Sequence, residues 1–235
     1  MKLFKKVLAV SVASVCALSL AACGGGKSAE TTASVSSESK EESKTGESVS
    51  KAVADTGKDA KDIKVGISIY KFDDNFMTLY RNELVRYLTE DCGIPKDNIV
   101  VQDGKNDQAE QTNQINNFIA TKVDVMILNL VQSSSAPTVT DLAKEAGIPV
   151  VYINREPDET EESRWASDGI KATYVGADAR QSGTFQGEEI AELDNKGDIN
   201  GDGAVKYIMI QGDPENIDAQ YRTEYSVKAL TEKSG

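Results

Sequence analysis

The chain alternates short apolar runs with stretches of helical periodicity from Val65 onward, and this alternation restricts the possible folds more than any other feature. Apolar runs of strand length occupy residues 65–70, 99–101, 125–128 and 150–153. The segments between them carry apolar residues three and four positions apart, a spacing that places them on one face of a helix. The run at 125–128 contains no polar residue, as in strands of a sheet that is covered on both faces. The pattern predicts a doubly wound parallel α/β sheet.

The alternation begins again after a loop at 157–171. Strands are expected at residues 173–176 and 207–210, and helices at about 179–193 and 219–233. We interpret this as the start of a second α/β lobe, so that residues 63–155 form the first lobe and residues 156–235 form part of the second. Two strands are too few to close a second core, which favours the interpretation that the sequence is a fragment of a longer chain.

The N-terminal residues have the three parts of a secretory signal peptide. Basic residues at positions 2, 5 and 6 precede an apolar run from Val7 to Leu20, and two alanines then lead into Cys23. The run is too short for a comfortable membrane span, which needs about 20 apolar residues. We therefore expect residues 1–22 to be a signal peptide. A cysteine directly after the cleavage point resembles the lipobox of bacterial lipoproteins, in which the cysteine thiol is diacylated.

The mature chain is thus expected to carry a lipid anchor on Cys23 at the extracytoplasmic face of the bacterial cell membrane, in the periplasm if an outer membrane is present. The alternative is an ordinary signal peptide in which Cys23 is incidental. Residues 23–62 are rich in Gly, Ser, Glu and Lys and have almost no large apolar side chain. Such a segment cannot bury enough surface to offset its ordering entropy, so we expect a disordered tether.

The composition excludes several classes of function. The chain has no histidine, which removes the commonest general base, the commonest zinc ligand and any Ser-His-Asp or Cys-His arrangement. Removal of a signal peptide with three lysines and no acids takes the formal net charge from −12 to −15. Such a charge repels nucleic acid and anionic lipid head groups. Without Cys16, and with Cys23 acylated, Cys92 is the only free thiol, so no intramolecular disulfide is expected. The composition favours binding over hydrolysis.

A first candidate binding site lies where the first predicted strand ends and the first predicted helix begins. Asp74 offers a carboxylate that can accept two hydroxyl hydrogen bonds, and the ring of Phe76 can cover the C–H face of a pyranose. Asn129 ends the third strand, and its amide can both donate to and accept from vicinal hydroxyls. Ligands in open α/β sheets settle outside the carboxyl ends of the strands. The alternatives are that Asp74 only caps the helix, that Phe76 is its first core residue, and that Asn129 forms a turn.

A second group of polar residues opens the last predicted helix. Asn216 precedes Asp218, and Arg222 follows four residues later, so that Asp218 and Arg222 share a helix face. Arg222 can donate in a fork to ring and hydroxyl oxygens. The group is therefore interpreted as the contribution of the second lobe to the same crevice. The alternative is a surface ion pair of small energetic value.

Residues 198–204 follow the spacing of an EF-hand calcium loop. Oxygen ligands stand at positions one, three and five (Asp198, Asn200 and Asp202), Gly is at position six, and the carbonyl of Ala204 is at position seven. Two positions depart from the pattern: position nine is a lysine, and position twelve is a methionine instead of a bidentate carboxylate. We expect a calcium ion at this loop if a carboxylate from elsewhere completes it. The alternative is a polar turn.

Several separate segments have patterns that are specific to one family: IYKFDDNFM (69–77), NDQAEQTNQI (106–115), NLV (129–131), IPVVYINREP (148–157), YVGADARQSGTFQG (174–187), DINGDGAVKYIMIQGDP (198–214) and DAQYRTEYSVKAL (218–230). In these segments the chain resembles the periplasmic galactose/glucose-binding proteins of sugar ABC transporters and chemotaxis. The resemblance covers nearly the whole folded region. It implies two hinged α/β lobes with a sugar held between them.

The resemblance also implies roles for the candidate residues. Asp74 and Asn129 would bond sugar hydroxyls from the first lobe while Phe76 stacks on a ring face, and Asp218 and Arg222 would bond from the second lobe. Asn216 stands where the family has a histidine, which leaves the preferred hexose open. The calcium loop of the family coincides with residues 198–204, and its distant glutamate ligand would fall beyond Gly235.

The implied function is that of a monomeric, lipid-anchored receptor that delivers galactose or glucose to an ABC permease and catalyses no reaction. A binding protein for a different monosaccharide is one alternative. Another comes from residues 197–205, which resemble a single dockerin repeat and would make the chain an adhesion module. Dockerins need that loop twice, with an acid at position twelve. The last alternative is a sugar-processing enzyme with paired carboxylates such as Asp73 and Asp74, although adjacent residues at a strand end point apart.

Overall fold

A five-stranded parallel sheet forms the centre of the structure, a computed structural model that describes residues 57–234. The strand order is β2-β1-β3-β4-β5. All four neighbouring pairs are parallel. The strands are β1 (Val65–Ile69), β2 (Ile99–Asp103), β3 (Val125–Leu128), β4 (Val150–Ile153) and β5 (Ala172–Val175). The predicted doubly wound parallel α/β sheet is therefore confirmed.

Six α-helices of the described residues connect and flank the strands: α1 (Asn75–Arg86), α2 (Gln108–Ala120), α3 (Ala136–Ala146), α4 (Glu159–Ser167), α5 (Ala179–Ala191) and α6 (Ile217–Ser234). Aspartates accept backbone hydrogen bonds at the N-termini of α1, α2, α4 and α5. These caps satisfy amides that have no partner within the helix. No helix within residues 57–234 has both the length and the apolar character needed to cross a bilayer.

Apolar side chains are buried on both faces of the sheet. Met126 and Leu128 of β3 belong to one core cluster, whereas Ile127 belongs to the other. This division follows from the alternation of side chains along a strand. All five residues of β1 are buried, as expected for a strand with a neighbour on each side and helices above and below it. The two-sided core explains why the strands read as continuous apolar runs.

Gly66 of β1 lies directly beneath the ring of Phe118 in α2. A Cβ atom at Gly66 would lie 2.6 Å from Cγ of Phe118, so Gly66→Ala is expected to lower the free energy of unfolding by about 1–3 kcal/mol. Urea denaturation measures this loss. Gly212→Ala is the matched control because its Cβ would meet only Ala219 at 3.4 Å. Equal stability of the two variants would contradict the close packing.

Two sequence predictions about the second lobe are wrong. β5 was expected to begin that lobe, but it pairs with β4 as the fifth strand of the first sheet, so the first lobe extends beyond residue 155 to at least Val175. No strand forms at 207–210, where Ile208 is 92% exposed. A strand needs a neighbour for its backbone hydrogen bonds, and residues 57–234 provide no second sheet.

The predicted tether is also too long at its C-terminal end. Residues 60–62 form a single 3₁₀ turn, and the side-chain amide of Asn98 donates to the carbonyl of Lys61 at 2.9 Å. Ile63, which follows the turn, is buried in the core, which fixes the turn to the sheet. The signal peptide at 1–22, the lipidation site Cys23 and the remainder of the tether up to residue 56 lie outside the described residues.

Helices α5 and α6 pack closely because two glycines of α5 face the backbone of α6. A Cβ atom at Gly187 would lie 2.3 Å from the carbonyl oxygen of Ser226, and one at Gly183 would lie 2.7 Å from that of Arg222. The first turns of both helices contact Glu156, which follows β4, through Arg180 and Asp218.

Candidate functional site

The carboxyl ends of β1, β3 and β4 gather the polar residues of the candidate site. Tyr70 follows β1, Asn129 follows β3, and residues 154–156 follow β4. Parallel strands place these ends at one edge of the sheet, where ligands bind in open α/β folds. The side chains described below surround this edge.

Asp74 is the N-cap of α1 and is held by two hydrogen bonds. Its Oδ1 accepts from the amide of Met77 at 2.7 Å, and its Oδ2 accepts from the hydroxyl of Tyr70 at 2.8 Å. The pKa of Asp74 is lowered, chiefly by the Met77 amide and further by Tyr70. Burial, and then Asp74, raise the pKa of Tyr70 to about 12, so its hydroxyl stays protonated as a donor. The capping role is observed, and each carboxylate oxygen keeps a further lone pair for a ligand.

Phe76 is 59% exposed on the first turn of α1. The alternative that it is the first core residue of this helix is therefore wrong. Its ring lies 6.1 Å from that of Tyr80, measured between centroids. The two rings line a groove of about 450 Å³ along α1. The side chain is available to stack on a ligand, and that role stays a prediction.

Asn129 is fully buried and connects three strand ends. Its Oδ1 accepts from the amide of Tyr70 at 3.3 Å, and its Nδ2 donates to the carbonyl of Ile153 at 3.1 Å and to Oδ1 of Asn154 at 3.2 Å. Both amide protons are thus engaged within the protein. A sugar hydroxyl would have to replace Asn154 as a partner, so direct ligand contact by Asn129 stays a prediction.

Arg155 was not singled out from the sequence, yet it is only 5% exposed at this edge. Its guanidinium lies 4.1 Å from the centroid of the Tyr70 ring, donates to the carbonyl of Val131, and forms an ion pair with Asp213 at 3.2 Å. Arg155 therefore joins the first strand end to the loop before α6. The signal that could have found it is a charged Arg-Glu pair directly after a buried strand.

Asp218, in the first turn of α6, reaches the same edge. It is 3% exposed, and its Oδ2 accepts from the backbone amide of Glu156 at 3.2 Å. Burial raises the pKa of Asp218, against the opposing effects of the Glu156 amide and the charge of Arg222. Asn216 accepts from the amide of Asp218 at 3.1 Å through Oδ1, which stabilises the start of the helix.

The structure brings together most, but not all, of the predicted site residues. Asp74 and Asn129 both contact Tyr70, and Asp218 is joined to the same edge through Glu156. Arg222 is exposed one turn further along α6. Among the ion pairs of residues 57–234, none joins Asp218 to Arg222, so the alternative of a surface ion pair is not supported.

The predicted calcium loop has the expected turn but an incomplete set of ligands. The carboxylate of Asp198 accepts from the amides of Gly201, Asp202 and Gly203 at 2.9–3.2 Å. Asp202 is paired with the ammonium of Lys206 and accepts from Asn200 at 3.0 Å, and these contacts lower its pKa. Within residues 57–234 no three acidic, Cys or His side chains converge as for a metal. These residues do not fit calcium by themselves, because a lysine takes up the Asp202 carboxylate.

The fold agrees with comparisons to known proteins. The model of a family described as "Periplasmic binding protein domain" matches residues 65–235. The chain therefore belongs to the periplasmic binding protein family, which confirms the family resemblance. The matched range includes the loop at 197–205, so this loop is part of that domain and does not favour a dockerin.

Two relatives are identical to this chain at about a third of the aligned positions. The D-galactose/methyl-galactoside binding periplasmic protein MglB of Haemophilus influenzae is 34% identical over 177 residues, which are 74% of this chain and 51% of that protein. A putative rhizopine-binding protein of Rhizobium meliloti is 37% identical over 161 residues, 68% of this chain and 47% of that protein. The chain thus spans about half the length of the curated relatives it matches.

Solved structures show the same fold. An ABC transporter solute binding protein from Bacillus halodurans with bound myo-inositol has a TM-score of 0.59 and 26% sequence identity, and the match covers 74% of this chain and 54% of that one.

Proposed function

We propose that this protein is a lipid-anchored extracytoplasmic receptor that binds galactose or glucose for an ABC importer. The observation that carries the proposal is the pairing of a partly exposed carboxylate, Asp74, with an exposed aromatic ring, Phe76, on the first turn of α1. A carboxylate bonds sugar hydroxyls, and an aromatic face covers the apolar side of a hexose. The galactose-binding relative supports the choice of ligand.

Binding in such a receptor proceeds by closure of two lobes on the sugar, since the ligand favours the closed state. Asp74, Phe76 and Asn129 would contact it from the first lobe, and Asp218 and Arg222 from the second. Arg155 is added as a supporting residue, because its buried guanidinium stacks on Tyr70 and pairs with Asp213 in the loop before α6. No catalysis is proposed, because the carboxylate of Asp73 is exposed and pairs with the ammonium of Lys71 at 3.3 Å.

Specificity for a different monosaccharide or a cyclic polyol is the second candidate. Asn216 supports it, since an amide there offers a different donor from the histidine of the galactose/glucose-binding resemblance. The named ligands of the relatives range from galactose to rhizopine, so relatives of similar identity bind chemically different molecules.

Isothermal titration with D-galactose, D-glucose, D-ribose and myo-inositol tests the proposal. The titrations use the 235-residue chain. Saturable one-to-one binding of galactose or glucose, with the sugar recovered unchanged, is expected. Tighter binding of ribose or myo-inositol would favour the second candidate, and recovery of a converted sugar would contradict the proposal.

Calcium and the lipid anchor are the remaining parts of the proposal. Calcium is proposed to bind residues 198–204 only together with a carboxylate from outside residues 57–234, because Lys206 neutralises Asp202. Repeating the titrations with EDTA and with calcium chloride tests this. Anchoring through Cys23 is proposed from the lipobox pattern alone.

A further inference from the structure

A buried ion pair connects the end of β4 to the helix pair α5–α6. Glu156 is 6% exposed, and its Oε1 accepts from Nη1 of Arg180 at 3.0 Å. Arg180 lies in the first turn of α5, and its guanidinium lies 3.9 Å from the centroid of the Tyr221 ring on α6. The side chain of Glu156 is thereby linked, through one arginine, to both helices.

Residue 156 holds the first turns of α6 at two points. Its backbone amide donates to Asp218, and its side chain reaches Tyr221 through Arg180. Asp218 and Tyr221 are three residues apart, so they lie on the same face of α6. The hydrogen bond from the Glu156 amide to Oδ2 therefore fixes the orientation of the Asp218 carboxylate.

Burial of this carboxylate is costly. Oε2 of Glu156 is buried and has no hydrogen-bond partner among the described residues. Burial raises the pKa of Glu156, Arg180 opposes that rise, and Asp218 and Asp178 add to it. The desolvation of a buried ion pair offsets much of the attraction between its charges, so such a pair contributes little net stability. The arrangement is therefore better explained by positioning than by packing.

We propose that Glu156 and Arg180 are positioning residues that fix the first turn of α6, and with it Asp218, against the carboxyl end of β4. The inference rests on the proposed function, because Asp218 is a sugar-binding residue only within it. Neither Glu156 nor Arg180 is assigned a contact with the sugar.

The test uses Glu156→Gln, Arg180→Gln and the double variant, with Glu159→Gln as the control because Glu159 is exposed on the neighbouring helix α4. Each single variant is expected to weaken D-galactose binding about tenfold. The double variant should be no weaker than either single variant, because both act through one ion pair. Arg180→Lys, which keeps the charge, should recover part of the affinity. Additive losses, or none, would overturn the proposal.

Hydrogen exchange separates this proposal from the proposed function. Amides of residues 218–221 should exchange faster in Glu156→Gln than in Glu159→Gln, whether or not a sugar binds. If neither the wild type nor any variant binds a monosaccharide, but exchange at 218–221 still differs between Glu156→Gln and Glu159→Gln, the proposed function fails and the positioning role stands. Unchanged exchange at 218–221 overturns the positioning role.

Discussion

Replacement of Asp218 by Asn is expected to lower galactose affinity about 100-fold and, at neutral pH, to stabilise the folded protein. The affinity falls because a charged acceptor contributes about 1.5–3 kcal/mol to a hydrogen bond. The folded variant is more stable because it no longer buries the charge of Asp218. The Oδ1 of the new Asn can still accept the hydrogen bond from the Glu156 amide. A residue that costs stability in the absence of ligand is typical of a binding site.

The pH dependence of stability distinguishes this explanation from improved packing. Burial raises the pKa of Asp218 in the folded protein, so the unfolded chain releases this proton at a lower pH than the folded chain does. The free-energy cost of burying the charge is absent at a pH below the pKa of Asp218 in the unfolded chain. It grows as the pH rises towards the pKa of Asp218 in the folded protein, and it is constant above that value. The gain in Asp218→Asn should therefore be present at pH 7 and vanish near pH 3.

Thermal unfolding at both pH values and calorimetry with D-galactose measure the two effects. Glu224→Gln is the matched control, because Glu224 is exposed on the same helix. Wild-type affinity in Asp218→Asn would remove Asp218 from the binding site. A gain in stability that does not change with pH would remove buried charge as its cause.

Sequence periodicity predicted the strands well because each buried strand is a short apolar run between polar segments. It did not predict which strands are neighbours. β5 has the same pattern as a first strand of a new lobe, and only its pairing with β4 shows that it closes the first sheet. The run at 207–210 also looks like a strand, but an apolar run becomes a strand only where another strand can pair with it.

The candidate site was predicted where residue type alone indicates chemistry, as for Asp74 and Phe76. Arg155 and Glu156 were missed because charged residues in sequence usually indicate a solvated loop. Their burial results from the packing of the loop before α6 and of α5 and α6 over the end of β4. That packing depends on contacts between residues more than 20 positions apart, which local patterns do not contain.

The two roles of Asp74 can be separated by a pair of substitutions. Asp74→Asn keeps the helix cap, since Asn and Asp cap equally well, and removes the charge. Its free energy of unfolding should stay within about 0.5 kcal/mol of wild type, while the affinity for D-galactose falls about 10–100-fold. Asp74→Ala should lose the same affinity and also about 1 kcal/mol of stability.

A helix cap that is assigned no contact with the proposed ligand is the control for this pair. Asp107 caps α2 by accepting from the amides of Ala109 and Glu110 at 2.8 and 3.1 Å, so Asp107→Ala should lose comparable stability and no affinity.

The Met77 amide holds the pKa of Asp74 below its usual range. The stabilisation by the Asp74 carboxylate is therefore complete at a pH above the pKa of Asp74 in the unfolded chain. It is lost as the pH falls through the lower pKa that Asp74 has in the folded protein. Asp74→Asn lacks this acid-sensitive part of the stability. If Asp74→Asn binds galactose as wild type does, Asp74 is a helix cap only, and the sugar site must lie elsewhere on this edge of the sheet.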